Sequence, residues 1–225
     1  MSWHDWIRTV EIEPSLYGAD FAQLGDQIEA LMGSGCRIFH FDIGDGHFVE
    51  PITMGPIVLE SIAPLIHRHG GVIDVHLMAE DPAKRFAAIA AAGGDSVTFH
   101  YEAVDDIAAT AGAAREQELQ VGIAFGPGTE PEDVAAVAAD VDLVLCMSIE
   151  PGYSGQRFQE ATFERVQRLS EALPKGIHIQ VDGGLNESNV RQLYDNGATL
   201  LVAASAIFGH DDLALAYHRL VDALA

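Results

Sequence analysis

Three apolar runs carry side chains of the metal-ligand type near their ends: Ile38-Phe39-His40-Phe41-Asp42, Val72-Ile73-Asp74-Val75-His76 and Ile177-His178-Ile179-Gln180-Val181-Asp182. His40 and Asp42 stand two apart, so a pleated strand sends both to the same face. In a sheet closed on itself the strand ends converge, which would bring His40, Asp42, His76 and Asp182 to one point. Two imidazoles and two carboxylates meeting there suit a single divalent transition metal, zinc, iron(II), cobalt or manganese. One such strand end alone would read as a solvated loop residue; the repetition on three strands makes it a candidate site. Asp74 shares the pleat phase of His76 and could orient a ligand histidine from behind. Asp45 reads as a loop residue.

The elements needed to position these residues alternate from end to end. Strands are predicted near 10–14, 37–42, 72–77, 96–100, 121–125, 142–147, 177–182 and 199–203. Helices are predicted near 20–33, 56–66, 82–92, 105–117, 130–138, 160–173, 187–195 and 211–224. In the first helix Phe21, Leu24, Ile28 and Leu31 form one apolar stripe, as a helix covering a sheet requires. Pro82 and Pro131 sit where a first helical turn tolerates a missing donor. Gly35, Gly93 and Gly197 follow three helices in the position favoured for a left-handed cap. Strict alternation implies parallel strands with right-handed crossovers. Eight repeats predict an α/β fold of the (β/α)8 TIM-barrel type, as a single domain over 1–225 with a short N-terminal extension at 1–9.

Composition narrows the partners. With 34 acidic against 12 basic residues, the chain is a poor match for nucleic acid or an anionic membrane. No apolar run reaches the length of a membrane span and no leader-type segment opens the chain, so a cytoplasmic location is expected. The same acidity opposes long-range capture of an anion, so any phosphate site must work through local backbone donors. So acidic a surface, with Lys84 and Lys175 the only lysines, is what a salt-rich cytoplasm would favour. Cys36 and Cys146 show no metal or redox spacing and read as small buried hydrophobes.

Six segments, in order and at matching spacing, give the chain its resemblance to the ribulose-phosphate 3-epimerases. They are Pro14-Ser15-Leu16 with Ala19-Asp20-Phe21, His40 through Val49, Asp74 through Met78, Met147 through Gln156, Val181-Asp182-Gly183-Gly184, and Ser205 through Phe208. The resemblance implies that His40, Asp42, His76 and Asp182 hold the metal and that Asp42 and Asp182 are the acid/base pair. Epimerising a carbon beside a ketone fits that pair, since a proton must leave one face and return to the other. A metal would polarise the carbonyl and offset the charge of the enediolate. The resemblance further implies a small phosphorylated ketose as substrate and a homo-oligomer as the working form. Substrate contacts are expected from Ser15, His76, Met78 and Met147, from Gly152, Tyr153, Ser154 and Gly155, and from Gly183, Gly184, Ala204 and Ser205. The last two turns stand at the customary phosphate corner of a barrel.

The chain also departs from the family pattern. Ala204 and Ser154 replace glycines, Gly126-Pro127-Gly128-Thr129 replaces a segment bearing an asparagine, and Gly44 replaces a methionine. Gly44 is expected to open space over the metal, which keeps a related ketose phosphate such as allulose 6-phosphate in view beside ribulose 5-phosphate. A lyase on a similar barrel would need a strand-end lysine, and Lys84 and Lys175 fall elsewhere. A non-catalytic phosphosugar-binding barrel would have no need of two acids around a metal.

Overall fold

Strand residues alternate between two environments in the computed structural model, which describes residues 2–153 and 155–225. The strands are β1 (Glu11–Pro14), β2 (Ile38–Gly44), β3 (Val72–Met78), β4 (Ser96–His100), β5 (Gln120–Phe125), β6 (Leu143–Met147), β7 (His178–Asp182) and β8 (Leu200–Ala203). All pair in parallel in the order β1-β8-β7-β6-β5-β4-β3-β2. An isolated bridge between Ser15 and His40 brings β1 against β2, so the ring is nearly closed. The expected barrel is therefore present.

Helices surround it, α1 (Trp3–Trp6) at its floor and the rest on its outside: α2 (Leu24–Gly33), α3 (Pro56–Arg68), α4 (Phe86–Ala91), α5 (Ile107–Arg115), α6 (Pro131–Ala135), α7 (Ala161–Ala172), α8 (Val190–Asp195), α9 (Ser205–Phe208) and α10 (Leu213–Asp222). Phe39, Phe41, Ile73, Val75, Val97, Phe99, Ile123, Val144 and Val181 point outward and pack with Ile28, Leu31, Leu59, Ile66, Ile89, Val166 and Leu193 of these helices in one core. The cysteines are buried and unpaired. Trp3 and Trp6 pack edge to face, with ring centroids 4.8 Å apart, against Ile38, Val72, Leu143 and Leu200. Those four residues begin their strands, so α1 plugs the floor of the barrel.

The helices are shorter than the sequence periodicity suggests. Phe21 is 52% exposed and lies outside α2, because the Asp20 carboxylate accepts from Ala22 N–H (3.0 Å) and Gln23 Nε2 (2.7 Å), holding a turn there. Pro82 opens a separate 3-10 turn before α4 begins at Phe86. Gly35, Gly93 and Gly197 all have positive φ, as left-handed caps require.

One ion-paired carboxylate ties the floor to β1. Glu11, buried to 3% exposure, accepts from the backbone N–H of Arg8 (3.1 Å) and from its guanidinium (2.9 Å, twice), with Arg37 3.6 Å away. Burial alone would raise the carboxyl, but the Arg8 hydrogen bonds overcome it and hold it below the ordinary range. A depressed folded-state pKa adds stability above the unfolded value near 4.3 and loses it as pH falls through the folded value. Glu11→Gln should therefore cost about 1–3 kcal/mol at pH 7 in urea melts. The difference from wild type should shrink at about pH 3; a constant difference would show that charge is not its origin.

Candidate active site and metal centre

The interior of this barrel is polar toward its upper end, where branched aliphatic layers are the rule. Leu143, Leu145 and Leu200 fill the lower part. Above them Glu13, His40, Asp42, Asp74, His76, Thr98, His100 and Gln180 face inward, none more than 5% exposed. The strand register sets them in rows: His40 pairs with Asp74, Asp42 with His76, and Met147 with Asp182. The outward residues between them are the Phe, Ile and Val that bind the helices. The apolar residues of each run thus hold the strand in place while the polar ones converge.

His40, Asp42, His76 and Asp182 each offer a ligand atom, all within 4.8 Å of one another. Asp42 Oδ1 lies 3.4 Å from His40 Nε2 and 3.0 Å from His76 Nδ1. Ligands bonded to one ion at roughly 2.0–2.2 Å stand about 3.3–4 Å apart, so small side-chain movements suffice to close the set. His40 Nδ1 faces Asp74 Oδ2 at 3.1 Å, so the neutral imidazole carries its proton there and offers Nε2 as the bare nitrogen. That Nε2 is buried with no hydrogen-bond partner. A bare imidazole nitrogen turned toward two carboxylates and a second histidine fits a divalent cation. Glu13, His40 and Asp74 also cluster. There Gln180 Nε2 donates to both Glu13 Oε2 (2.5 Å) and Asp74 Oδ2 (2.7 Å), taking the place a second cation would need.

The electrostatics agree. Burial alone would lower the His40 imidazole, yet the Asp42 charge, the hydrogen bond to Asp74 and the Glu13 carboxylate 3.7 Å away hold it well above its ordinary value. The site therefore favours positive charge at its centre. Burial would raise Asp42, but His40 and His76 drive it far below the usual carboxylate range. Asp182 moves the other way: burial raises it, and the charge of Asp42 adds to this against the pull of His40. Glu13 is pushed up to about 7, chiefly by burial. Two acids facing one cleft with opposite proton affinities are suited to opposite halves of a proton transfer.

The cleft above them, about 530 Å³ including its open mouth, gathers most of the residues expected to touch a substrate. Ser15, Met78 and Met147 line it, as do Gly152, Tyr153 and Gly155, Gly183 and Gly184, and Ala204 and Ser205. Asp42 and Asp182 form its floor. Ser15 donates its hydroxyl to Asp42 Oδ2 at 2.7 Å, holding that carboxylate in place. His76, expected to meet substrate as well as metal, is fully buried between Asp42 and His100 and is absent from the described lining. Ser154 lies outside the described residues. Ala204 has φ −104°, so its N–H can still point as the glycine it replaces would allow. Gly184 has φ +66°, and a Cβ there would come within 2.7 Å of Phe158 N, so the loop after β6 needs this glycine to pass.

Gly44 does not open space. A Cβ at that position would meet Pro51 O at 2.8 Å and Val49 Cγ2 at 3.0 Å, because the loop after β2 folds down over it. Thr53 fastens that loop: its hydroxyl accepts from Gly44 N–H and donates to Asp42 O, both at 2.7 Å. Asp45 is a loop residue, accepting from His47, Phe48 and Glu80 N–H groups. Sequence reasoning missed Tyr17, Ile149, Leu185 and Val202, which also line the cleft, and the buried contact between His100 and His76. The run Thr98-Phe99-His100 repeats the polar-apolar-polar pattern of Asp74-Val75-His76 and could have signalled the latter.

The family model described as the ribulose-phosphate 3 epimerase family matches residues 11–208. Ribulose-phosphate 3-epimerase of Bacillus subtilis (strain 168) is 36% identical over 207 residues, covering 90% of this chain and 94% of that one. The Escherichia coli (strain K12) ribulose-phosphate 3-epimerase is 34% identical over 217 residues, covering 94% and 92%. A chloroplastic ribulose-5-phosphate-3-epimerase of Arabidopsis thaliana is 37% identical over 208 residues, covering 90% and 73%. Among solved structures, orotidine 5'-phosphate decarboxylase from Pyrococcus horikoshii superposes with a TM-score of 0.71 at 17% identity, covering 95% of this chain and 98% of that one. At that identity the likeness concerns the fold alone.

Proposed function

This chain belongs to the ribulose-phosphate 3-epimerase family and is an epimerase, and from that premise we propose that it interconverts ribulose 5-phosphate and xylulose 5-phosphate through proton transfer by Asp42 and Asp182. The observation that carries this reading is the convergence of the two acids on one cleft in opposite protonation tendencies. They reach it from β2 and β7, which β1 and β8 separate in the ring. A ketose lying between them would expose one face of its third carbon to each.

His40, Asp42, His76 and Asp182 would hold one divalent ion. Bound there, it would polarise the ketone and offset the negative charge that develops as the proton leaves. Asp42, held by Ser15, removes the proton from one epimer while Asp182 carries the proton that is delivered to the opposite face. In the reverse direction the two exchange roles. Because a nearby cation makes carboxylates weak bases, a single proton alternating between them is the economical state. Met78 and Met147, each almost fully buried, cover the reacting carbon with polarisable, water-excluding surface. The phosphate would lie against the turns at Gly183-Gly184 and Ala204-Ser205, held by backbone donors rather than by basic side chains. The working enzyme is read as cytoplasmic and oligomeric.

Incubation with ribulose 5-phosphate in heavy water should place deuterium at the third carbon of both epimers at the rate of epimerisation. Label appearing in ribulose 5-phosphate without xylulose 5-phosphate would show that only one face of the carbon is served and overturn the paired mechanism on this ketose; epimerisation without label would remove solvent-exchanging acids from the mechanism.

A further inference from the structure

Resting on the metal reading above, a second inference concerns how His76 is kept ready as a ligand. To bind through Nδ1, His76 must carry its proton on Nε2, which lies 2.9 Å from His100 Nε2. His100 must then accept at Nε2 and carry its own proton on Nδ1. That nitrogen faces Glu102 Oε2 at 3.2 Å. The opposite assignment would turn a bare His100 nitrogen toward a carboxylate and place a proton on the His76 nitrogen that must ligate. Both imidazoles are fully buried, with planes 29° apart, and Phe48 packs on His100 with ring centroids 4.8 Å apart, so water cannot substitute for either partner.

Glu102 is itself held by the segment after β5. Its Oε1 accepts from Gly126 N–H (2.7 Å) and from the Thr129 hydroxyl (2.5 Å). Arg165 anchors the same segment, donating to Gly126 O and to Met147 O at 2.7 Å each. We propose that His100 and Glu102 are positioning residues that lock His76 in the tautomer with a free Nδ1, so that metal capture depends on a carboxylate outside the ligand set. Hydrogen bonds from His100, Thr129 and Gly126 outweigh burial and hold Glu102 at about 2, which keeps it an acceptor only.

Glu102→Gln separates these roles. One amide cannot offer an acceptor both to His100 and to the Gly126–Thr129 donors, so the His100 tautomer loses its anchor. In a chelator competition titrated with zinc, affinity should fall about 10–100-fold relative to wild type. Thr129→Val, which keeps the carboxylate, should stay within a few-fold of wild type. In the zinc-loaded wild-type protein, a long-range proton–nitrogen correlation spectrum should show His76 bound through Nδ1 with a proton on Nε2, and His100 protonated on Nδ1. This spectrum decides the matter even if Glu102→Gln fails to fold. Zinc affinity of Glu102→Gln within two-fold of wild type, or His76 bound through Nε2, overturns the inference while leaving the metal reading intact. Failure of the wild-type protein to bind zinc overturns both.

Discussion

Asp42→Asn and Asp182→Asn should each lose net epimerisation by about 10³-fold or more, because general acid–base catalysis at one position supplies roughly 10²–10⁴ and the proposed mechanism gives each face of the carbon a single acid. The informative result is what survives. Asparagine keeps a carbonyl oxygen for a metal but cannot take up a proton. Each variant should therefore still exchange the third-carbon proton of the one epimer that faces the remaining aspartate, and the two variants should retain opposite epimers. Nuclear magnetic resonance of both ketose phosphates in heavy water reads this directly. If either variant exchanged both epimers, one acid would be reaching both faces and the paired mechanism would fall. The structure argues against that: Asp42 is fastened by Ser15 and drawn toward both histidines, whereas Asp182 stands on the far side of β1 and β8.

On the proposed metal reading, stripping the ion should be as damaging as removing an acid, and it should also be visible in stability. Four carboxylates, those of Glu13, Asp42, Asp74 and Asp182, share the upper barrel interior with histidines that ligation requires to be neutral. Without a cation, acids held this close must take up protons or protonate the histidines. Prolonged chelation should therefore abolish turnover, with recovery on adding back a divalent ion. A metal present at about 1,000 times its dissociation constant contributes about 4 kcal/mol, so calorimetry should record a melting temperature roughly 8–16 °C lower in the stripped protein. An enzyme fully active at negligible metal content would overturn the ligand assignment.

Much of this was legible in the strands. In Ile38-Phe39-His40-Phe41-Asp42 the phenylalanines and the polar residues fall on alternate faces, which a covered barrel strand demands, and β2 turns them as that pattern requires. Asp74 was readable as a partner from its pleat phase, and it stands beside His40, the histidine opposite it in the register. The helix starts were less legible. The stripe from Phe21 overran the true beginning of α2 because Asp20 satisfies local N–H groups more cheaply than a helix would. Gly44 misled for a different reason: a missing side chain signals space, but a neighbouring loop can use that space.

By itself the sequence determined the alternation of strand and helix, the two faces of every strand and the chemical identity of the converging side chains. These follow from local backbone geometry and from a period-two burial pattern, both of which reside in neighbouring residues. Only the tertiary structure decided which nitrogen of each histidine faces the centre, that Gln180 bridges Glu13 and Asp74, that His100 stands behind His76, and that the loop after β2 closes over Gly44. Each of these depends on the distance between side chains from separate strands. Such distances are set by barrel register and loop packing, which no stretch of chain specifies alone.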